Sequence, residues 1–119
     1  MKGIHPTPEM VEAAYEFLRT TPPFRRWRLP PGEELEFYVR HARHYVGLCH
    51  EAQGAMPARI TVSSRWVGLP ATLLLVVAHE MVHLYQARRG TSGPGEHNQE
   101  FHRLARRVCT VHGFDYRSF

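Results

Sequence analysis

Two histidines one helical turn apart, with a glutamate between them, stand at His79-Glu80-Met81-Val82-His83. On a helix the imidazoles at i and i+4 share a face and can grip one metal ion, while Glu80 projects beside it. This is the HExxH pattern of zinc-dependent hydrolases. With nine His and ten Glu in 119 residues, such a pattern arises by chance in about one comparable chain in twenty, so its surroundings decide its weight.

The surroundings favour a site. Pro70 stands where a first helical turn tolerates proline and Gly90 where a helix tends to end, which brackets one long helix around the motif. Within it Leu73, Leu74, Val76, Val77, Met81, Val82 and Leu84 make nearly every face apolar, the mark of a buried central helix. Histidines and a glutamate there are costly to desolvate without a strong partner. A metal engages all three, whereas a merely structural histidine pair leaves Glu80 unexplained.

A catalytic zinc takes three protein ligands and keeps one position open. After Gly90 comes a Gly/Pro loop, then a helical pattern with Phe101, Leu104, Ala105 and Val108 on one stripe, Arg103, Arg106 and Arg107 mostly off it, and a stop at Gly113. A short loop makes the two helices antiparallel neighbours and returns the start of the second toward the motif. His97 is therefore the expected third ligand, with Glu96 or Glu100 as the substitute in a two-His-one-Glu site. The metzincin arrangement is ruled out, because its Gly and His would fall at Gln86 and Arg89.

The elements around this pair follow from composition and punctuation. At 43% hydrophobic content the chain forms one domain, residues 1–119, with a modest core. Thr7 and Pro8 open an amphipathic helix carrying Met10, Val11, Ala14, Tyr15 and Leu18, which ends near Thr21-Pro22-Pro23. Pro30-Pro31-Gly32 punctuates the chain next. From Leu35 to Cys49 the apolar spacing fits both a strand and a helix. Cys49 and Cys109 are far apart and outside any metal spacing, so both read as buried small hydrophobes. No basic start followed by an apolar run opens the chain, and the longest apolar run, Leu69 to Ala78, is too short to cross a bilayer. The expectation is a cytoplasmic protein with no membrane partner.

Three motifs in order, the strand-like Ala58-Arg59-Ile60-Thr61-Val62-Ser63-Ser64, the Ala78-to-Leu84 motif and His97-Asn98-Gln99-Glu100-Phe101, resemble the SprT-like (Spartan-type) zinc metallopeptidase domain over roughly residues 35–115. Asn98 stands where that family often has Gly, and no Cys-x-x-Cys zinc ribbon follows in this sequence. The resemblance implies an α+β, zincin-like domain of minimal gluzincin type: a small antiparallel sheet packed on the HExxH helix and a second antiparallel helix. It implies strands over residues 35–50, with Tyr45 to Glu51 pairing with Ala58 to Ser64 across a turn at Gln53-Gly54. It also implies that Ala58 to Ser64 is an edge strand holding an extended peptide by strand addition.

The expected function is zinc-dependent endopeptidase activity, with one Zn2+ per chain on His79, His83 and His97 and Glu80 as general base. Tyr116 and Tyr85 are candidates for stabilising the transition state, and Glu100 for orienting a ligand imidazole from behind. The substrate is a protein or peptide. A net charge of +4 and a pI near 9.5 bring in DNA as a candidate partner through Arg25, Arg26, Arg28, Arg103, Arg106 and Arg107, with Trp27 as a stacking residue. The alternative is a non-catalytic, zinc-stabilised nucleic-acid-binding or scaffold protein. Intact Glu80 separates the two, since a structural three-histidine site has no use for it.

Overall fold

The computed structural model describes residues 5–119. Helix α1 spans Pro8–Arg19, and Thr7 caps it by accepting a hydrogen bond from the Met10 amide at 3.2 Å. Its buried stripe is Val11, Ala14, Tyr15 and Leu18, while Met10 at i−1 of that stripe stays exposed. The chain then turns through short 3-10 segments at Phe24–Arg26 and Gly32–Glu34. Tyr15 ties this turn down, its hydroxyl donating to the Pro30 carbonyl at 2.6 Å, and Glu16 accepts from the Gly32 amide. A side chain at Gly32 would meet the Glu12 and Glu16 carboxylates at 3.0 Å, so the Pro-Pro-Gly punctuation is a close approach to α1.

Residues 35–50 contribute two strands, with an irregular connection over residues 41–46. β1 is Glu36–Arg40, β2 Gly47–His50 and β3 Arg59–Ser63. β2 runs antiparallel to β3, Gly47 facing Val62 and His50 facing Arg59, with a further bridge from Gln53 to Met56 around Gly54. The expected hairpin is therefore present. The sheet as a whole is mixed, not antiparallel, because β1 pairs parallel to β3 from Glu36 with Arg59 to Arg40 with Ser63. The strand order is β1-β3-β2. Ala58 to Ser64 is thus the centre of the sheet and has no free edge; once β2 folds back on one side of β3, only the other side remains for β1. Central position explains why Ile60, Thr61, Val62 and Ser63 are all buried.

Helix α2 spans Pro70–Arg89, with Pro70 in its first turn and Gly90 closing it at φ 72°. It packs against α1, β2, β3 and the third helix, and so buries residues on every side, from Leu73 to Gln86. Helix α3 spans Gln99–His112, capped by Asn98, whose side chain accepts from the Phe101 amide at 2.9 Å, and closed by Gly113 at φ 75°. Phe101, Leu104, Ala105, Val108 and Cys109 form its buried stripe. Cys109 is buried as expected, whereas Cys49 is only half-buried. A last 3-10 turn, Tyr116–Ser118, brings Phe119 back toward α2. No helix among the described residues is long and apolar enough to cross a membrane.

Candidate metal centre

α2 carries His79 and His83 one turn apart, and the loop between α2 and α3 delivers His97 to them. One nitrogen from each lies within 4.8 Å of the others, a group that could hold a metal ion. His83 Nε2 is 3.2 Å from His79 Nε2 and 3.2 Å from His97 Nε2. Tetrahedral coordination by imidazoles sets the donor nitrogens about 3.3 Å apart, and these two separations match that spacing.

Protonation supports that fit. His79 Nδ1 lies 2.6 Å from the Phe119 main-chain oxygen, which accepts, so Nδ1 carries the proton and Nε2 presents a lone pair. One imidazole nitrogen cannot both donate and accept, and hydrogen bonding alone can therefore join the three Nε2 atoms only if His83 splits a single proton between two neighbours. A cation uses all three lone pairs. Burial lowers the His83 pKa to about 4, and the neighbouring His79 and His97 push the same way; burial also lowers that of His79. Both are neutral at pH 7, the form that binds metal.

Phe101 is the floor of this cluster. Its buried ring stacks on His83 with centroids 4.7 Å apart and on His97 at 4.4 Å, and meets His79 edge-on at 5.1 Å. The His97 loop is held by Gln86, fully buried on α2, whose amide donates to the Thr91 carbonyl at 3.1 Å and to Asn98 Oδ1 at 3.0 Å. Asn98 in turn donates to the Thr91 carbonyl at 3.0 Å. The position excluded as a metzincin glycine is thus the anchor of the ligand loop.

Glu80 is buried at 6% exposure and lines the same cavity, of about 830 Å³, as the three imidazoles and β2. Burial, with a smaller push from Glu96, raises its pKa to about 8. A buried carboxyl next to a metal-ligand cluster is a functional-site signature. Gly47 makes room for it: a Cβ there would stand 2.7 Å from Val76 Cγ1 and 3.0 Å from Glu80 Oε2.

Other expected residues fall elsewhere. Glu100 forms a two-pronged pair with Arg103 at 2.9 and 2.7 Å and bonds none of the three imidazoles; the Phe119 main-chain oxygen orients His79. Glu96 lines the cavity but stands outside the three-nitrogen group. Tyr85 stacks on Trp27 at 4.3 Å, and the Tyr116 hydroxyl bonds His102 Nδ1 at 2.5 Å beside Arg106. Neither tyrosine lines the cavity. Arg25, Arg26 and Arg28 are exposed around the first 3-10 turn, and Arg103, Arg106 and Arg107 are exposed on α3. Trp27 is buried against Phe24 and Tyr85 and is not free to stack on a base. Sequence reasoning missed Gly47, Gln86 and the Phe119 main-chain oxygen; for the first two the only signals were a glycine in a strand and a polar residue at a core position of the helix. No protein-family model and no curated protein matches the chain.

Proposed function

We propose that this chain is a zinc-dependent endopeptidase of the SprT-like type, with His79, His83 and His97 holding the ion and Glu80 as the general base. The observation that carries the reading is the shared cavity: three converging imidazole nitrogens and one buried carboxyl facing an edge strand. Zinc, when bound, would supply a Lewis acid that polarises the scissile carbonyl and acidifies a water. Glu80 takes the proton of the attacking water and passes it to the leaving amine. A cation beside Glu80 favours its charged form, which offsets the burial that otherwise keeps it neutral.

The strand that receives substrate is β2, since its outer side is unpaired and Gly47 to His50 line the cavity. An extended peptide adds to that edge through main-chain hydrogen bonds, which places its carbonyls beside the imidazole cluster. Gly47 brings this edge close to α2 and Glu80.

The test is zinc content together with peptidase activity for wild type and Glu80→Gln. We expect about one zinc per chain in both proteins and turnover lower by about 10²–10⁴-fold in the variant. Unchanged turnover in the variant, or a wild type that takes no zinc, would sink the reading. Zinc bound by a wild type without turnover would instead identify a zinc-stabilised scaffold.

A further inference from the structure

A second hollow, of about 660 Å³, lies at the C-terminal end of α2 and shares no lining residue with the metal cavity. Six residues line it: Arg26, Trp27, Arg28, Tyr85, Arg88 and Arg89. Four are arginines and none is acidic. None of the four takes part in an ion pair among the described residues. The carboxylate whose charge Arg89 influences, Glu100, is already held by Arg103. Four like charges around one concavity repel each other, and a shared anion relieves that repulsion.

Placement at a helix C-terminus accounts for Arg88 and Arg89, which favour that end of the helix dipole. It does not account for Arg26 and Arg28, which come from the turn after α1. Arg28 holds a left-handed backbone at φ 56°, a conformation that non-glycine residues rarely take and that clusters at ligand clamps. The aromatic pair beneath is already engaged. Trp27 is buried and stacked on Tyr85, and the Arg89 guanidinium sits 5.3 Å from the Tyr85 ring centroid. The hollow therefore offers guanidinium forks on a rigid floor, with Trp27 closed to a stacking base.

We propose that this hollow binds adjacent phosphate groups, as in an oligophosphate or a nucleic-acid backbone, through Arg26, Arg28, Arg88 and Arg89. Guanidinium forks match phosphate oxygens two at a time. Recognition is of charge and spacing, so binding is independent of base identity and falls steeply with salt.

Calorimetric titration of the full chain with sodium tripolyphosphate, and separately with short oligo-dT and oligo-dA, tests this at low and moderate salt. The hollow variant carries Arg26→Gln, Arg28→Gln, Arg88→Gln and Arg89→Gln. The control loses the same charge elsewhere, through Arg25→Gln, Arg65→Gln, Arg106→Gln and Arg107→Gln. All eight positions are exposed, and circular dichroism verifies that both variants fold. Chelation at the imidazole cluster is common to both and drops out of the comparison. We expect saturable tripolyphosphate binding, weakened about tenfold or more in the hollow variant and less than about threefold in the control. If oligonucleotide competes with tripolyphosphate the natural source is a phosphodiester backbone, and if it does not, a free oligophosphate. Absence of saturable binding at low salt, equal loss in both variants, or a strong preference for one base would overturn the proposal.

Discussion

At the level of single residues, Glu80 and His83 pull the pH response of the metal-free chain in opposite directions. The His83 pKa falls from 6.5 to about 4, so between those values the unfolded chain binds more protons and stability rises with pH. The Glu80 pKa rises from 4.5 to about 8, so the folded chain binds more protons and stability falls as pH climbs through that range. Above pH 6.5 only the Glu80 slope remains of the two. After chelation, wild type should therefore lose stability to urea between pH 6.5 and 8, and Glu80→Gln should lose that slope; identical slopes in both proteins would exclude Glu80 as its origin. Gly47 answers to sterics instead. Gly47→Ala puts a methyl 2.7 Å from Val76 Cγ1, and we expect urea denaturation to show a loss of about 1–3 kcal/mol. An unaffected midpoint would mean that β2 lifts away from α2 at no cost.

Among the elements, α2, α3 and the loop between them matter most to the site, and Asn98 joins all three. It caps α3 at Phe101 and receives the Gln86 amide from α2. Asn98→Ala should cost about 1 kcal/mol in thermal unfolding through the cap alone and weaken zinc in a competition titration, because the His97 loop loses its anchor. Asn98→Asp keeps the cap but puts an acceptor where the amide donates to the Thr91 carbonyl, so it should recover only part of the thermal loss; unchanged zinc affinity in Asn98→Ala would show that His97 needs no such support. Much of this was legible in sequence. The Pro70 and Gly90 brackets, the α3 stripe and the convergence of His79, His83 and His97 rest on local periodicity and capping, which a single chain displays. The sheet order was not legible, since strand pattern alone does not say which side of β3 each neighbour takes. Nor was the partner of His79, because a main-chain oxygen leaves no trace in residue type. Tyr85 and Tyr116 misled for the ordinary reason that tyrosine serves packing as readily as chemistry.

For the molecule as a whole, the parallel pairing of β1 with β3 carries a kinetic consequence. β2 and β3 are neighbours in sequence and close a small loop, whereas Glu36 must find Arg59 across the entire hairpin. Loop-closure entropy favours the local pairing first. The hairpin, α2, α3 and the loop between them, which carry the imidazoles and Glu80, should then form a nucleus onto which α1 and β1 dock late. Val62 and Val11 are both fully buried, one in the hairpin and one on α1, and they separate the two stages in stopped-flow measurements. Val62→Ala should mainly slow refolding, and Val11→Ala should mainly speed unfolding. Equal partition of the two variants would mean that all elements condense together. With that order, the N-terminal layer is the first to open and the half that carries the imidazole cluster the last, so transient unfolding of this chain should release its covering helix while the three histidines stay assembled.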